Sequence, residues 1–287
     1  MAESKTRKKK ILVLGGEGFI GKNILQRLSL GHKCFSLATN ESIFSGENEG
    51  YEFIRGNPYR EKIHNECEVV VHLIDNRVKT GNFVKEEMKL SRNSRIEEGV
   101  RLILFSSAVV YANPESDYGR RKTLLEEFYR NYCGEKGISL TIFRLFNVYG
   151  KYQLPYRQGS LVANIFYNYL KGKRTEINDL GAERDFMYAS DVARFVGYAI
   201  ENNAPGLIDL GTGKPVKIGE MIRLIENKVI RSKIEISYRE NKENIFCPVA
   251  KNKLLNEVPP VSLEEGLRET FGFYKDNLSR INNYLKL

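Results

Sequence analysis

The sequence predicts an α/β protein in which a doubly wound parallel sheet is followed by a smaller α/β lobe. Three observations support this fold class. An apolar run, Lys10–Leu14, leads directly into the glycine-rich segment Gly15–Gly21. Apolar residues at helical spacing then continue as far as Gly31. Strand-like and helix-like segments alternate up to Asn147, which is typical of a parallel sheet covered by helices.

The strands of the first half are short apolar runs, as expected for strands that are buried on both faces. They are predicted at residues 10–14, 34–37, 51–55, 69–74, 102–105 and 140–146. Besides the helix after the glycines, helices are predicted at residues 59–67, 85–98 and 120–134. Such sheets bind ligands beyond the carboxyl ends of their strands, so residues in those positions are the first site candidates.

The alternating pattern loosens after Gly150. Helices are predicted there at residues 161–170, 192–201, 218–229 and 262–274, with extended segments at 185–188 and 207–210. Asp191 stands where it can cap the second of these helices. These segments predict the smaller lobe.

Composition narrows the classes of function. The net charge is +9, but five basic residues lie within the first ten positions, which predicts a flexible basic leader over residues 1–9 and no nucleic-acid partner. The four cysteines are scattered, with no CxxC pair and no histidine at ligand spacing, so no metal site is expected. Free thiols, and no apolar run long enough for a membrane span, predict a cytoplasmic protein.

The glycine-rich segment predicts a dinucleotide site. Gly15 permits a tight turn directly after the first strand, and Gly18 lets a pyrophosphate approach the N-terminus of the next helix. Backbone N–H groups and the helix dipole favour an anion there. Gly21 lets the helix pack closely on the strand. The expected cofactor is therefore NAD or NADP.

The end of the second predicted strand bears on the choice between these two cofactors. An acid that binds the adenosine ribose is expected there, but Ala38 takes that position and no carboxylate follows until Glu41. Thr39 and Asn40 can hydrogen-bond a 2′-phosphate, and Lys22 can supply a positive charge. This segment favours NADP without excluding NAD.

A candidate catalytic group follows the strand predicted at residues 102–105. Ser107 lies at the end of that strand, and Tyr118 and Lys122 stand four residues apart on one helical face. A neighbouring ammonium favours the phenolate, which predicts a lowered pKa for Tyr118 and a general base for an alcohol or an acid for a ketone. Ser107 can hydrogen-bond the same substrate oxygen. The alternative is an exposed tyrosine beside a solvated lysine.

Eight segments, in this order, resemble those of the extended short-chain dehydrogenase/reductases, specifically the nucleotide-sugar epimerase/dehydratase group. The segments are VLGGEGFIG (Val13–Gly21), VVVHL (Val69–Leu73), FSSAVVY (Phe105–Tyr111), YGRRK (Tyr118–Lys122), RLFNVYG (Arg144–Gly150), RDFMYASDVA (Arg184–Ala193), LGTG (Leu210–Gly213) and VSLEEGLRET (Val261–Thr270). The resemblance covers nearly the whole chain.

The resemblance implies a Rossmann domain that holds NAD(P) and a C-terminal lobe that holds a nucleotide sugar. The expected Rossmann domain comprises residues 10–150 with about 183–203, and the expected lobe comprises residues 151–182 and 204–287. The predicted cofactor contacts are Gly15, Glu17, Gly18, Phe19, Ile20, Gly21, Thr39, Asn40, Asn57, Leu73, Tyr118 and Lys122.

The resemblance also implies roles for five residues. Ser107 aligns with the catalytic serine, Tyr118 with the acid/base, and Lys122 with the lysine that lowers the tyrosine pKa. Asn147 and Arg184 align with residues that bind the sugar diphosphate, Arg184 through phosphate oxygens. The local alternatives are a turn residue at the strand end and an ion pair between Arg184 and its neighbour in sequence.

Three departures from the family pattern stand near these residues. Ile74-Asp75 replaces two small alanines beside the cofactor, and the loop between Ser107 and Tyr118 is short, which leaves the sugar unspecified. An Asp-Glu pair that dehydratases carry after the serine is replaced by alanine and valine, which argues against a 4,6-dehydratase.

The predicted function is hydride transfer at C4 of a UDP- or dTDP-hexose, by a 4-epimerase or by an NADPH-consuming 4-ketoreductase. The family also implies a homodimer through the helices at 85–98 and 120–134. The alternative from another class is a non-catalytic NAD(P) sensor or RNA-binding relative, supported by the altered cofactor pocket and the basic leader.

Overall fold

The computed structural model describes residues 7–46, 50–63, 66–75, 80–157, 159–238 and 248–286. They divide into two compact units. The first contains the described residues up to Leu145 and Ala193–Ile208, and the second contains Phe146–Val192 and the described residues from Asp209 onward. The first stretch of the first unit ends at Leu145, whereas the expected Rossmann domain continues to residue 150. Asn147 therefore belongs to the second unit.

The strands are named in chain order. They are β1 (Lys10–Leu14), β2 (Lys33–Ala38), β3 (Glu52–Arg55), β4 (Val69–His72), β5 (Arg101–Ser107), β6 (Ser139–Leu145), β7 (Asn147–Tyr149), β8 (Thr175–Ile177), β9 (Glu183–Arg184), β10 (Phe186–Tyr188), β11 (Gly206–Leu210), β12 (Val216–Lys217) and β13 (Ile236–Tyr238).

The helices flank these strands. They are α1 (Phe19–Leu28), α2 (Thr80–Asn93), α3 (Val109–Ala112), α4 (Asp117–Lys136), α5 (Leu161–Leu170), α6 (Ala189–Glu201), α7 (Ile218–Leu224) and α8 (Leu263–Leu285). After α7 the chain continues as a π-helical segment, Ile225–Ile230.

A seven-stranded sheet carries the first unit. Its strand order is β11-β6-β5-β4-β1-β2-β3, and the described pairings from β6 to β3 are all parallel. The fold class predicted from the sequence is therefore confirmed. Consecutive strands extend the sheet to opposite sides of β1, so the gap between β1 and β4 is where such sheets bind their ligands.

The sheet strands are apolar because helices cover them. In β4 every residue is buried, in β1 only Lys10 is exposed, and in β5 only Ser107 is half-buried. Ser107, the last residue of β5, is therefore partly exposed at the carboxyl edge of the sheet.

The helix predicted at residues 59–67 is wrong for the part of that stretch that the structure describes. The side-chain oxygen of Asn57 accepts a hydrogen bond from the Tyr59 N–H at 3.0 Å, which forms a turn after Pro58. The Ile63 N–H donates to the carbonyl oxygen of Asn93 at 2.8 Å and thereby joins the end of α2 instead of a helix of its own.

Two further details differ from the predictions. The helix α2 ends at Asn93, before Arg95, whose φ of +52° does not continue a helix. Asp191 lies inside α6 and does not cap it, because its carboxylate accepts the N–H of Val261 at 2.9 Å.

No helix in the described ranges is long and apolar enough to span a membrane. Cys34, Cys67 and Cys133 are free thiols, and Cys247 lies outside the described residues.

Candidate active site

The glycine-rich turn joins β1 to α1. Gly15 has a φ of +82°, a conformation that glycine adopts without steric cost, and its N–H donates to the carbonyl oxygen of Leu37 at 2.8 Å. The Gly18 N–H donates to Gly15 O at 3.1 Å, and the Lys22 N–H donates to Gly18 O at 2.9 Å. The turn therefore passes directly into the helix.

The N-terminus of α1 suits an anion. Gly18 is its N-cap and offers no side-chain cap, and Phe19 and Ile20, the first helical residues, belong to a first turn without an acid. A Cβ added at Gly21 would lie 2.5 Å from the carbonyl oxygen of Gly15, so only glycine permits this tight packing. These residues fit the pyrophosphate of a dinucleotide.

Thr39, Asn40, Asn57 and Leu73, which are also predicted cofactor contacts, follow the strands β2, β3 and β4. Thr39 and Asn40 come directly after β2 and are exposed, and Asn57 lies just beyond β3. Leu73 follows β4, and its N–H donates to the carbonyl oxygen of Leu14 at 3.1 Å. All of them therefore lie at the carboxyl edge of the sheet, the edge at which the glycine-rich turn follows β1.

The side chain of Glu17 is the centre of a buried polar group that the sequence did not predict. Its carboxylate accepts hydrogen bonds from Ser36 on β2 and from the Ser42 N–H beyond β2. Lys22 lies 3.7 Å from the same carboxylate, and its side chain is 1% exposed. The Lys22 charge is thus paired with Glu17, and its role towards a 2′-phosphate stays a prediction. We name this group the Glu17 cluster: Glu17, Lys22, Ser36, Ser42, Ser45 and Tyr51.

The start of α4 is fixed by two small residues. Ser116 caps the helix, because its hydroxyl accepts the Gly119 N–H at 3.0 Å. A Cβ at Gly119 would overlap the carbonyl oxygen of Asn113. The cap places the first turn of α4, including Tyr118, close to the end of β5.

Ser107, Tyr118 and Lys122 come together in the first unit. Ser107 is the last residue of β5, and its side chain lies near enough to the Tyr118 phenol to act on the pKa of that phenol. The Lys122 ammonium lies 5.7 Å from the centre of the Tyr118 ring and donates to the carbonyl oxygen of Phe105 at 3.3 Å. The hydroxyl, phenol and ammonium predicted from the sequence thus share one corner of the sheet edge.

The predicted lowering of the Tyr118 pKa is wrong for this structure. Burial raises the pKa of Tyr118, and the Asp75 carboxylate raises it further, while Ser107 and Arg121 act in the opposite direction. Burial also lowers the pKa of Lys122. Tyr118 is therefore a protonated phenol at neutral pH.

Asp75 and Arg121 are site residues that the sequence analysis missed. One Asp75 oxygen lies 3.7 Å from Arg121 and the other lies 4.0 Å from Lys122. The Arg121 guanidinium lies 5.8 Å from the centre of the Tyr118 ring. Helical spacing of three residues from Tyr118 was the available signal for Arg121. Asp75 stood out as a departure from the family, but nothing in the sequence named its partners.

A second ion pair, Glu126–Arg144, joins α4 to the ends of β5 and β6. Glu126 accepts a hydrogen bond from Ser106 at 2.6 Å and two from Arg144, at 2.8 and 2.6 Å. Burial would raise the pKa of Glu126, but the hydrogen bonds from Arg144 and Ser106 hold it below its usual range. This bidentate pair fixes β5 and β6 against the helix that carries Tyr118.

Asn147 and Arg184 share a pocket in the second unit. The pocket has a volume of about 420 Å³, and Arg157 and Asn178 also line it. Asn147 begins β7, whose parallel pairing with β10 places it beside the strand segment that holds Arg184. Glu176 and Asp179 also line the pocket, and its two guanidinium groups and two amides are the groups that can bind an anionic, hydrogen-bonding ligand.

The alternative of a local Arg184–Asp185 ion pair is wrong. The Asp185 carboxylate instead accepts the N–H groups of Thr212, Gly213 and Ala250, at 2.7, 2.9 and 3.2 Å. Arg184 donates to the carbonyl oxygen of Glu183 at 2.7 Å. Asp185 thus holds three backbone segments together through its carboxylate. Its neighbour Arg184 lines the pocket.

The family follows from a comparison with known proteins. The model of the NAD dependent epimerase/dehydratase family matches residues 11–211. The chain belongs to this family. It is therefore an enzyme of the extended short-chain dehydrogenase/reductase type, and none of the relatives below favours the sensor or RNA-binding alternative.

Two members of this family are similar to the chain over most of its length. A putative UDP-glucose 4-epimerase of Methanocaldococcus jannaschii is 28% identical over 93% of this chain and 99% of the relative. UDP-glucuronic acid decarboxylase 1 of Xenopus tropicalis is 24% identical over 98% of this chain and 75% of the relative.

Solved structures of the epimerase/dehydratase family share the fold. A UDP-N-acetylglucosamine 4-epimerase from Methanobrevibacter ruminantium matches with a TM-score of 0.80 and 22% identity, over 94% of this chain and 99% of that one. A UDP-glucose 4-epimerase from Thermotoga maritima matches with a TM-score of 0.77 and 24% identity over the same shares.

Proposed function

We propose that the protein is an NAD-dependent nucleotide-sugar 4-epimerase that acts at C4 of a UDP- or dTDP-hexose. The observation that carries the proposal is the grouping of Ser107, Tyr118 and Lys122 in the unit that holds the glycine-rich turn. A 4-ketoreductase is the second candidate. Ala38 favours it, because a missing ribose acid weakens the tight cofactor retention that an epimerase needs.

The chain's own residues supply the acid/base chemistry. Tyr118 removes the proton of the C4 hydroxyl during oxidation and returns a proton to the C4 oxygen during reduction. Ser107 donates a hydrogen bond to the same oxygen, and the Lys122 ammonium stabilises the phenolate while it exists. A bound NAD would supply the group that accepts the hydride from C4 and gives it back to C4. Epimerisation then requires the 4-keto sugar to present its other face before reduction.

Product analysis tests the proposal and separates the candidates. The purified chain is incubated with NAD and, in turn, UDP-glucose, UDP-N-acetylglucosamine, UDP-glucuronic acid and dTDP-glucose, and the products are separated by chromatography. A 4-epimer without net NADH formation supports the epimerase. In a separate incubation with NADPH or NADH and a UDP-4-keto sugar, consumption of the reduced cofactor supports the reductase. Release of carbon dioxide from UDP-glucuronic acid would instead indicate a decarboxylase, and no turnover of any sugar contradicts the proposal.

We assign the pocket of the second unit to the diphosphate end of the substrate. Replacing Arg184 by glutamine is expected to weaken UDP binding roughly 10- to 100-fold, because a hydrogen bond to a charged group is worth about 1.5–3 kcal/mol. Isothermal titration with UDP measures the change. Arg174→Gln is the control, since Arg174 pairs with Glu235 on the surface with side chains 73% and 71% exposed. Equal affinities for the two variants would remove Arg184 from the site.

The raised pKa of Tyr118 predicts a dependence on pH. Oxidation at C4 needs the phenolate, so its rate is expected to rise with pH towards the Tyr118 pKa. Asp75→Asn removes a charge that raises this pKa, so the rising part of the kcat–pH profile should move to lower pH. Asp117→Asn is the control, because Asp117 pairs with Arg120 at the surface of the same helix. A profile that stays in place or moves to higher pH contradicts the role of Asp75.

The proposal retains a homodimer through α2 and α4.

A further inference from the structure

The Glu17 cluster is an anion site that the chain fills with its own carboxylate. The oxygens of Glu17 accept hydrogen bonds from Ser36 Oγ at 2.7 Å and Ser45 Oγ at 2.8 Å. The Tyr51 hydroxyl donates to the carboxylate at 3.1 Å, and the Ser42 N–H donates at 3.0 Å. Donors from β2 and from the chain that follows it therefore converge on one carboxylate.

Lys22 provides the positive charge of the cluster. Its Nζ donates to Tyr51 at 2.7 Å and Ser45 at 3.1 Å, and it lies 3.7 Å from Glu17. Burial would raise the pKa of Glu17, but hydrogen bonds, above all from Ser36, keep this pKa lowered. Glu17 is therefore ionised at neutral pH.

The Glu17 cluster lies between the N-terminus of α1 and the end of β2. Glu17 directly precedes Gly18, the N-cap of α1, and Ser36 and Ser42 stand on either side of the end of β2. Doubly wound sheets place the adenosine ribose of a dinucleotide at the end of the second strand. NADP differs from NAD by a phosphate on that ribose. Hydroxyls, a backbone N–H and an ammonium are also the donors that bind phosphate groups in proteins.

We propose that the Glu17 carboxylate occupies the place of the 2′-phosphate of NADP and thereby restricts the chain to NAD. A phosphate at this corner meets an ionised carboxylate whose hydrogen-bond donors are already engaged, so charge repulsion and missing hydrogen bonds both oppose it. The ribose hydroxyl of NAD carries no charge and avoids the repulsion. Glu17 thus overrides the preference for NADP that Ala38 predicts.

Replacing Glu17 by alanine should reverse the selectivity. The variant keeps the Lys22 ammonium and the hydroxyl donors but lacks the carboxylate that engages them. The ratio of NADP to NAD affinity is expected to rise at least about tenfold, because the freed donors and the Lys22 ammonium can then bind the phosphate. Adding Lys22→Met to Glu17→Ala should remove most of this gain, because the compensating charge is lost.

Titration calorimetry on the full chain measures these affinities without turnover. NAD and NADP are titrated first, followed by AMP and adenosine 2′,5′-bisphosphate, which isolate the adenosine end. Glu87→Gln is the matched control. Glu87 is also a fully buried carboxylate bonded to tyrosine hydroxyls, those of Tyr59 and Tyr129, but it lies outside the cluster. This control should lower the melting temperature and leave the NADP to NAD ratio unchanged.

The outcomes decide the proposal. Wild type that prefers NAD, with Glu17→Ala shifted to NADP, supports it. Wild type that binds both dinucleotides equally overturns it, as does an unchanged ratio in Glu17→Ala. Melting curves without ligand show whether each variant is folded. If Glu17→Ala is not folded, Glu17→Gln replaces it, because glutamine keeps the volume and removes the charge. The ratio of NADP to NAD affinity of that variant then decides. Since no sugar is involved, failure here is independent of the proposed epimerase reaction.

Discussion

Replacing Tyr118 by phenylalanine is expected to reduce turnover about 10²- to 10⁴-fold while the affinity for NAD stays unchanged. The substitution removes only the phenol oxygen, from a side chain that lies near Ser107 and whose ring centre is 5.7 Å from the Lys122 ammonium. No other described group stands in the same position to exchange a proton with a substrate hydroxyl there. Initial rates at saturating sugar and cofactor measure the loss, and calorimetric titration measures the affinity for NAD.

Tyr132→Phe is the control for Tyr118→Phe. Tyr132 lies on the same helix, and its hydroxyl donates to the carbonyl oxygen of Ile96 at 2.8 Å. Loss of this neutral hydrogen bond should cost about 0.5–1.5 kcal/mol of stability and leave the rate intact. If folded Tyr118→Phe kept a wild-type rate, the acid/base assignment would be wrong.

Replacing Gly21 by alanine is expected to abolish detectable binding of NAD. The new Cβ would lie 2.5 Å from the carbonyl oxygens of both Gly15 and Gly16, and these backbone atoms can move only if the turn opens. Overpacking of this kind typically costs about 1–3 kcal/mol. Because the same turn shapes the anion site at the start of α1, the fold should survive with reduced stability while the affinity collapses. Thermal melting with and without NAD measures both effects.

Gly134→Ala is the matched control for Gly21→Ala. Gly134 is also a helical glycine, but a Cβ there would meet no atom within 4 Å. Alanine should therefore stabilise α4 by about 0.5–1 kcal/mol through its helix propensity and leave NAD binding unchanged. Wild-type affinity for NAD in Gly21→Ala would show that the glycine-rich turn is not the cofactor site.

The sequence correctly predicted those strands and helices that are determined by residues close together in the chain. The apolar run at Lys10–Leu14 is β1 with those bounds, and Leu161–Leu170 is α5. The residues predicted to share the helical face of Tyr118 do so, because helical spacing fixes which side chains are neighbours. Asn147 and Arg184 line one pocket, while the binding of a sugar diphosphate there stays a prediction.

The errors come from contacts between residues far apart in sequence. The stretch predicted as a helix at 59–67 is bonded to Asn93, which no local pattern encodes. Burial, which depends on the whole fold, reverses the expected direction of the Tyr118 pKa. Glu17 was predicted only as a cofactor contact, and only the fold brings Ser36 and Tyr51 to its carboxylate.

The most direct measurement of the central claim follows the hydrogen at C4. The wild-type chain is incubated with NAD and UDP-glucose, UDP-N-acetylglucosamine or UDP-glucuronic acid carrying deuterium at C4, and the products are read by NMR. We expect one sugar to yield its 4-epimer with the deuterium retained at C4, or a 4-keto sugar with the deuterium transferred to the cofactor. If every C4–deuterium bond stays intact in unchanged sugar while NAD and UDP bind, Tyr118 and its neighbours do not form a C4 redox site.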